Sequence, residues 1–448
     1  MRIEQICRNV DTQQASLIKL SDFIWKNPEE SLREVKAAVA LSDYLRGNGF
    51  QIKSGLAGME TAFQAIWGEG KPEIAFLGEY DALPGLGQEA RPQFAPIDES
   101  FGHGCGHNLL GVGAAGAAVA LKRSLETSGM RGTVVFVGCP AEEIMEGKIR
   151  LGKAGIFDGF DAALTWHPNF VNMTSEFCYQ AMKSVRFSFY GRPSHAALAP
   201  EEGRSALDAV ELMNVGVNYL REHMIPGARV HYTITDGGDK PNIVPAFARS
   251  WYYIRAPRTD QEEEIYRRVK KIAQGAALMT DTSVTEEVLS ECPHTRLNRT
   301  LNKVMQQALE AVGAPEWGCD ELEFAERIKH TFSEEQIEGQ LEVTQAQERN
   351  LSDRTLDDSI SPLTGRCLYL GASSDVSFVS HIVPTAQVMT CCYPVGTAGH
   401  TWAVTACAGA GVGHKGMITA AKILAAAGWR LFEKPEILEC AKGEFEKV

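Results

Sequence analysis

The stretch Gly102-His103-Gly104-Cys105-Gly106-His107-Asn108 holds a thiol and an imidazole two residues apart on a glycine-hinged loop. Glycine admits backbone angles closed to other residues, so side chains on such a loop can converge on one point. Soft sulfur beside borderline nitrogen suits a divalent transition metal better than calcium or magnesium. Alone, the pair is a weak signal. Further donors stand downstream: Glu142-Glu143 in Pro-Ala-Glu-Glu, His167 in Leu-Thr-Trp-His-Pro and His400 in Gly-Thr-Ala-Gly-His-Thr. Cys, His, Glu, His and His at separate loops give enough donors for two ions that share a bridge. A closed structural zinc site would instead show close pairs such as repeated Cys-x-x-Cys.

Consecutive side chains diverge, so Glu142 and Glu143 cannot both face one metal. One can ligate while the other accepts a proton from a nearby water, the arrangement that metal-assisted hydrolysis needs. Each residue taken singly also has a plainer reading. Paired acids favour the first turn of a helix, and a lone strand-end His is commonly a hydrogen-bonded core residue. The case rests on their common placement. Asp81 could hold a ligand His in one tautomer, and His103 reads as loop packing or an outer contact. Farther on, His195 lies on a turn, Asn242 in a Pro-bounded loop, and Arg255 at the end of a strand. His and Asn donors can stabilise an oxyanion, and Arg is the usual fork for a carboxylate.

The elements that must position these groups can be read from periodicity. Residues 32–47 carry apolar side chains at helical spacing and stop at a glycine. Strand-like runs follow at 73–80, 133–140 and 161–168, with a helical run from Asn108 to about Thr127 between the first two. Alternating strands and helices predict an α/β fold with a mainly parallel sheet, in which ligands bind beyond the carboxyl ends of the strands. Glu79, Asp81, Glu142, Glu143 and His167 all fall at such ends. From Met182 the pattern changes to strands at 184–191, 228–238 and 250–257 with helices at 204–222 and 260–279. That order suits an inserted α+β domain over 182–291, between two parts of the larger domain at 1–181 and 292–448. Residues 315–365 read as a surface excursion with short helices. The sheet pattern resumes at 385–393, and a helix runs from about His414 to Phe432.

A chain of 448 residues favours two domains. Its 44% hydrophobic and 23% charged content is that of an ordinary globular protein. No secretory signal and no run near the roughly 20 apolar residues of a membrane span is visible, so a cytoplasmic protein is expected. The 11 cysteines lack a repeating spacing and read as free thiols. A formal charge of −13 argues against nucleic acid and anionic membrane as partners.

The runs GEYDALPG (78–85), GHGCGHN (102–108), PAEE (140–143), WHP (166–168), GRPSHAA (191–197), NIVP (242–245) and GHT (399–401) cover most of the chain. In this order they resemble the co-catalytic metallopeptidase family that includes hippurate hydrolase and the auxin-conjugate amidohydrolases, and within it the aminobenzoyl-glutamate branch. The resemblance implies an aminopeptidase-like metal-binding domain with an inserted dimerisation (lid) domain. It implies two divalent ions, zinc or manganese, on Cys105, His107, Glu143, His167 and His400, with Cys105 a candidate bridge. Glu142 would be the general base and then the proton donor to the leaving amine, and Asp81 would orient the metal site. His195 would reach a neighbouring subunit's site and, with Asn242, steady the oxyanion; Arg255 would hold the substrate carboxylate, with Arg204 and Lys240 as further cations.

Some residues depart from the family. Asn108 stands where the hippurate branch has Asp, and Ser374-Asp375 stands where it carries Glu-Asp. The segment after Glu143 lacks expected glycines. The expectation is therefore a dinuclear-metal amidohydrolase for a small N-acyl amino acid, first of all p-aminobenzoyl-glutamate. A dipeptidase on β-alanyl dipeptides and an auxin–aspartate hydrolase are the alternatives within this chemistry. A non-catalytic partner subunit is the alternative of another class. A homodimer, or a heterodimer with a homologous chain, is implied.

Overall fold

Apolar runs such as Thr133-Val-Val-Phe-Val137, flanked by glycine and proline, have no polar face to offer water and become the buried middle of a sheet. A computed structural model describes residues 3–97, 100–344 and 346–447. The chain divides into two compact units. The first extends to Phe177, takes in Arg296–Leu368 and resumes at Val379; the second is Cys178–Thr295 with Tyr369–Phe378.

The first unit contains strands β1 (Gln51–Ser54), β2 (Phe63–Glu69), β3 (Glu73–Glu79), β4 (Gly132–Cys139), β5 (Ala162–Asn169) and β6 (Met173–Thr174). The second contains β7 (Ala181–Tyr190), β8 (Arg229–Asp236), β9 (Phe247–Ala256) and β10 (Ser283–Cys292), after which β11 (Thr385–Cys391) belongs again to the first. Seven strands of the first unit lie in the order β1-β2-β4-β3-β5-β11-β6. The central β4, β3, β5 and β11 are parallel, and the outer strands pair antiparallel. Register aligns the carboxyl ends: Glu79 stands opposite Cys139, and His167 opposite Met389.

The helix His107–Ser128 lies against this sheet and starts from Gly106, whose φ of 77° is left-handed. Its glycines permit a very close approach. A Cβ at Gly111 would sit 2.5 Å from the Glu79 carbonyl oxygen, and one at Gly113 would sit 2.8 Å from the Trp166 indole nitrogen. That indole donates to the Leu110 carbonyl at 2.9 Å, tying the helix to β5, the strand that carries His167. Asn108, fully buried in the first turn, donates through Nδ2 to Ser21 Oγ and the Ala408 carbonyl, both at 3.0 Å. Within the excursion at 315–365, helices occupy Cys319–Lys329 and Glu334–Val343.

In the second unit the order is strand, helix, strand, strand, helix, strand, as the sequence pattern indicates. Its sheet, β10-β7-β9-β8, is antiparallel throughout. Helices Ala206–Arg221 and Thr259–Thr280 supply Val210, Met213, Val217, Ile265 and Val269 to a core shared with Phe187, Phe189, Tyr252 and Ile254. The thiol expectation needs one correction. Nine cysteines are free, but Cys178 and Cys367 are each disulfide-bonded, which their spacing in the sequence does not announce. Among the described residues, no helix is long and apolar enough to cross a membrane.

Asn108→Leu should strand the Ser21 hydroxyl and the Ala408 carbonyl in the interior, at about 1–3 kcal/mol for each group. Differential scanning fluorimetry should show a clearly lowered unfolding midpoint; an unchanged midpoint would mean that neither hydrogen bond matters to stability.

Candidate metal centre

Parallel strands that end together place their following loops side by side, so residues remote in sequence become neighbours. In the first unit Glu79 ends β3, Asp81 follows it, Glu142 and Glu143 follow β4, and His167 lies near the end of β5. Cys105 and His107 stand where the glycine loop enters its helix, and His400 lies in the loop beyond β11. His400 itself takes a left-handed φ of 56°, and its amide donates to the Gly104 carbonyl at 2.9 Å, bringing the two loops into contact.

Three groups of donors result. Cys105, His107 and His167 form one, Cys105, Glu143 and His400 another, and Glu79, His107 and Glu142 a third; within each, the donor atoms lie within 4.8 Å of one another. Cys105 is common to the first two, the position of a bridging ligand. Cys105 Sγ is 3.4 Å from His167 Nε2, and Glu143 Oε2 is 3.4 Å from His400 Nε2. Two donors bound to one zinc ion at its usual bond lengths stand roughly 3.0–3.6 Å apart.

Both interior histidines have one nitrogen committed. His107 Nδ1–H donates to Asp81 Oδ1 at 2.8 Å, and His167 Nδ1–H donates to the Pro168 carbonyl at 2.7 Å. Their Nε2 lone pairs are thereby left for a ligand, the arrangement expected of metal-bound imidazole. Asp81 Oδ2 accepts from the Glu143 amide at 3.0 Å and the Ser31 hydroxyl at 2.9 Å. One buried carboxylate thus aligns both a ring and the backbone of the Glu143 turn.

The protein alone leaves this cluster electrostatically unbalanced. Burial, with the Glu143 charge beside it, pushes the Cys105 thiol up to about 12. Burial and the neighbouring Asp81 and Glu79 charges raise Glu143 to about 7 against the pull of His107. Burial and His107 lower His167 to about 4, and the same causes lower His400. For His107, burial opposes protonation, but the Cys105 and Asp81 interactions outweigh it and raise the imidazole well above its usual value. Glu79 Oε2, His107 Nε2 and Glu143 Oε1 are buried without a hydrogen-bond partner. Buried polar atoms of this kind ordinarily find a partner, and divalent cations held by these donor groups would partner all three. The donor set fits such a group.

Residues expected at the site but carried by the second unit fall in two places. His195 and Asn242 are exposed and adjacent, with the Ala196 amide donating to the Asn242 carbonyl at 3.0 Å. Arg255 is half-buried at the other end of the sheet, donating to Ser373 Oγ at 2.7 Å. The register pairs Phe247 with Tyr190 but Arg255 with Met182. Arg255 therefore stands roughly 27 Å along the strand from the Phe247 end, and one subunit does not bring it to His195. Arg204 is engaged by Asp281 at 2.8 Å. His103 Nε2 lies 3.3 Å from the Ile24 carbonyl, so it is buried loop packing.

Sequence reasoning missed Lys148 and Glu34, and gave Glu79 no role. Lys148, fully buried, holds Glu79 Oε1 at 2.7 Å. Glu34 accepts from the Ala141 amide at 2.8 Å and the Thr61 hydroxyl at 2.9 Å, and burial with Asp81 nearby raises it to about 7. Lys148 stands among Glu146, Arg150 and Lys153, so nothing in its local sequence marked it.

Residues 180–279 match the M20 peptidase dimerisation domain. The chain is 42% identical to one of the subunits of the p-aminobenzoyl-glutamate hydrolase of Escherichia coli, over 96% of this chain and 92% of that protein. It is 34% identical to the mouse Xaa-Arg dipeptidase, over 67% of this chain and 68% of that one. In three dimensions it resembles a dinuclear metal-binding M20 peptidase of Bacillus subtilis with a TM-score of 0.62 at 17% identity, covering 94% of this chain and 99% of the other. That last likeness carries the fold alone. The extent of the first, joined to the domain match, places the lineage: this chain belongs to the M20 peptidase family.

Proposed function

We propose that the chain is a dinuclear-metal amidohydrolase that cleaves an N-acyl amino acid, with p-aminobenzoyl-glutamate as its best substrate. The observation that carries this reading is the pair of donor groups joined at Cys105, with Glu142 in the group that adjoins them. Cys105, His107 and His167 would hold one ion, and Cys105, Glu143 and His400 the other. A thiolate among imidazoles and a carboxylate favours zinc, with manganese the alternative in a site also rich in oxygen. Bound divalent ions would supply Lewis-acid polarisation of the amide carbonyl and acidify water.

The chain's own groups supply the rest. Glu142 accepts the proton of the attacking water at a carboxylate oxygen and returns it to the amide nitrogen as the C–N bond breaks. Asp81 keeps His107 in the tautomer that leaves Nε2 free. Exposed His195 and Asn242 donate to the developing oxyanion of a partner subunit's site, and a cationic guanidinium, Arg255, pairs with the substrate carboxylate. The E. coli relative is one subunit of a hydrolase, which supports a partner, either a second copy or a homologous chain. A dipeptidase reading draws on the mouse relative. A non-catalytic partner subunit is disfavoured because Glu142 and all five metal donors are present.

The purified chain, stripped with a chelator and reloaded with zinc or manganese, should release p-aminobenzoate from p-aminobenzoyl-glutamate only when metal is restored. β-Alanyl and Xaa-Arg dipeptides and indoleacetyl-aspartate run beside it decide the substrate. Turnover that survives metal removal would end the metal reading. Glu142→Gln should lower kcat by about 10²–10⁴-fold with two ions still bound, and near-normal turnover would remove Glu142 from the chemistry. His195→Ala should lower kcat while metal content, read by mass spectrometry, stays at the wild-type value; wild-type rates would sink its role.

A further inference from the structure

Glu79 lies among the groups of the metal centre, yet the donor set above gives it no part. Its Oε1 is held by Lys148 Nζ at 2.7 Å, while its Oε2 stands 3.3 Å from His107 Nε2. All three side chains are at least 98% buried, with exposures of 2%, 0% and 0% for Glu79, His107 and Lys148. The His107 ring is oriented by Asp81 on its other nitrogen, so once its proton leaves Nε2 offers a lone pair beside that of the facing carboxylate oxygen. Neither atom has a hydrogen-bond partner. Two such acceptors face each other in a low-dielectric interior only with positive charge between them, a proton on Nε2 or a metal ion that takes its place. Their 3.3 Å separation is that of neighbouring ligands on one ion.

We propose that Glu79 is a sixth protein donor to the centre, binding through Oε2 the ion that His107 binds, and that Lys148 fixes its direction. This rests on the metal reading above. Glu142 reaches the same group of atoms, but a general base needs an oxygen free for the proton. Glu79, with one oxygen pinned by an ammonium group that is itself buried, is the carboxylate that can remain on the ion. Lys148 also offsets the added negative charge, so that the ion keeps enough positive character to polarise a carbonyl. It is a positioning residue, acting through Glu79.

A crystal structure of the full chain loaded with zinc or manganese tests this directly. Glu79 Oε2 is expected at about 2.0–2.2 Å from the ion bound by His107. An ion on Cys105 and His107 with Glu79 beyond 3 Å would overturn the inference alone, whereas no ion at these residues would overturn the metal reading itself. In solution, competition with a chromogenic chelator should show two sites in the wild type. Glu79→Gln should weaken one of them by about 10–100-fold and leave the other unchanged, and Lys148→Met should weaken the same site. Unaltered affinity in Glu79→Gln would overturn the ligand role, and unaltered affinity in Lys148→Met the positioning role.

Discussion

The constraint that governs this molecule is the burial of anionic and electron-rich donors side by side at the floor of one sheet. Asp81, Glu79 and His107 are buried, and Cys105, Glu143 and His167 are half-buried beside them. Moving one unpaired charge into such surroundings costs several kcal/mol even after relaxation. The chain offsets part of this with Lys148 and with hydrogen bonds from backbone amides and Ser31. What remains shows as a thiol held protonated and a Glu143 raised to about 7. A site built so is stable only with cations in it or protons on it, and either way its chemistry is that of a place where positive charge is wanted.

The scaffold can be understood as the means of holding that arrangement still. Parallel strands fix the loops at a common level, and the glycine-faced helix His107–Ser128 approaches β3 so closely that its first residue lies against the end of the strand. The turn from Pro140 to Gly147 is fixed from several sides. Ala141 sits at a left-handed φ of 58°, a strained choice for a residue with a side chain. Its amide is held by Glu34, its carbonyl accepts from the Glu146 amide at 3.1 Å, and a Cβ at Gly147 would meet the Pro140 carbonyl at 1.6 Å. So tight a turn directs consecutive side chains apart, so that Glu142 joins Glu79 and His107 while Glu143 joins Cys105 and His400.

Much of this was legible in the sequence, and the boundary of legibility is physical. Cys105, His107, Glu143, His167 and His400 could be grouped because they lie at strand ends or in the loops beyond them, and a parallel sheet brings such ends together whatever their order. Lys148 and Glu34 could not, because their partners lie on other segments and nothing local distinguishes a buried Lys or Glu from a solvated one. Glu79 was visible as a strand end, but its role depends on which oxygen faces His107. The oxidised state of Cys178 and Cys367 leaves no mark in their spacing. The separation of Arg255 from His195 follows from antiparallel register, which alternation alone does not set.

The second unit poses a different physical problem. His195 and Asn242 are exposed side chains on turns, and a hydrogen-bond donor in water contributes little to an oxyanion, because water competes for it equally well. Such donors become effective only when a surface covers them and excludes solvent. The sequence of residues 180–279 matches a domain whose description is dimerisation, and a covering surface is what a partner provides. If association completes the site, then turnover per chain should fall on dilution below the dimer dissociation constant while metal content stays constant. A rate proportional to chain concentration down to the monomer, measured together with the mass by light scattering, would mean that the metal centre works without its neighbour and that His195 and Asn242 are ordinary turn residues.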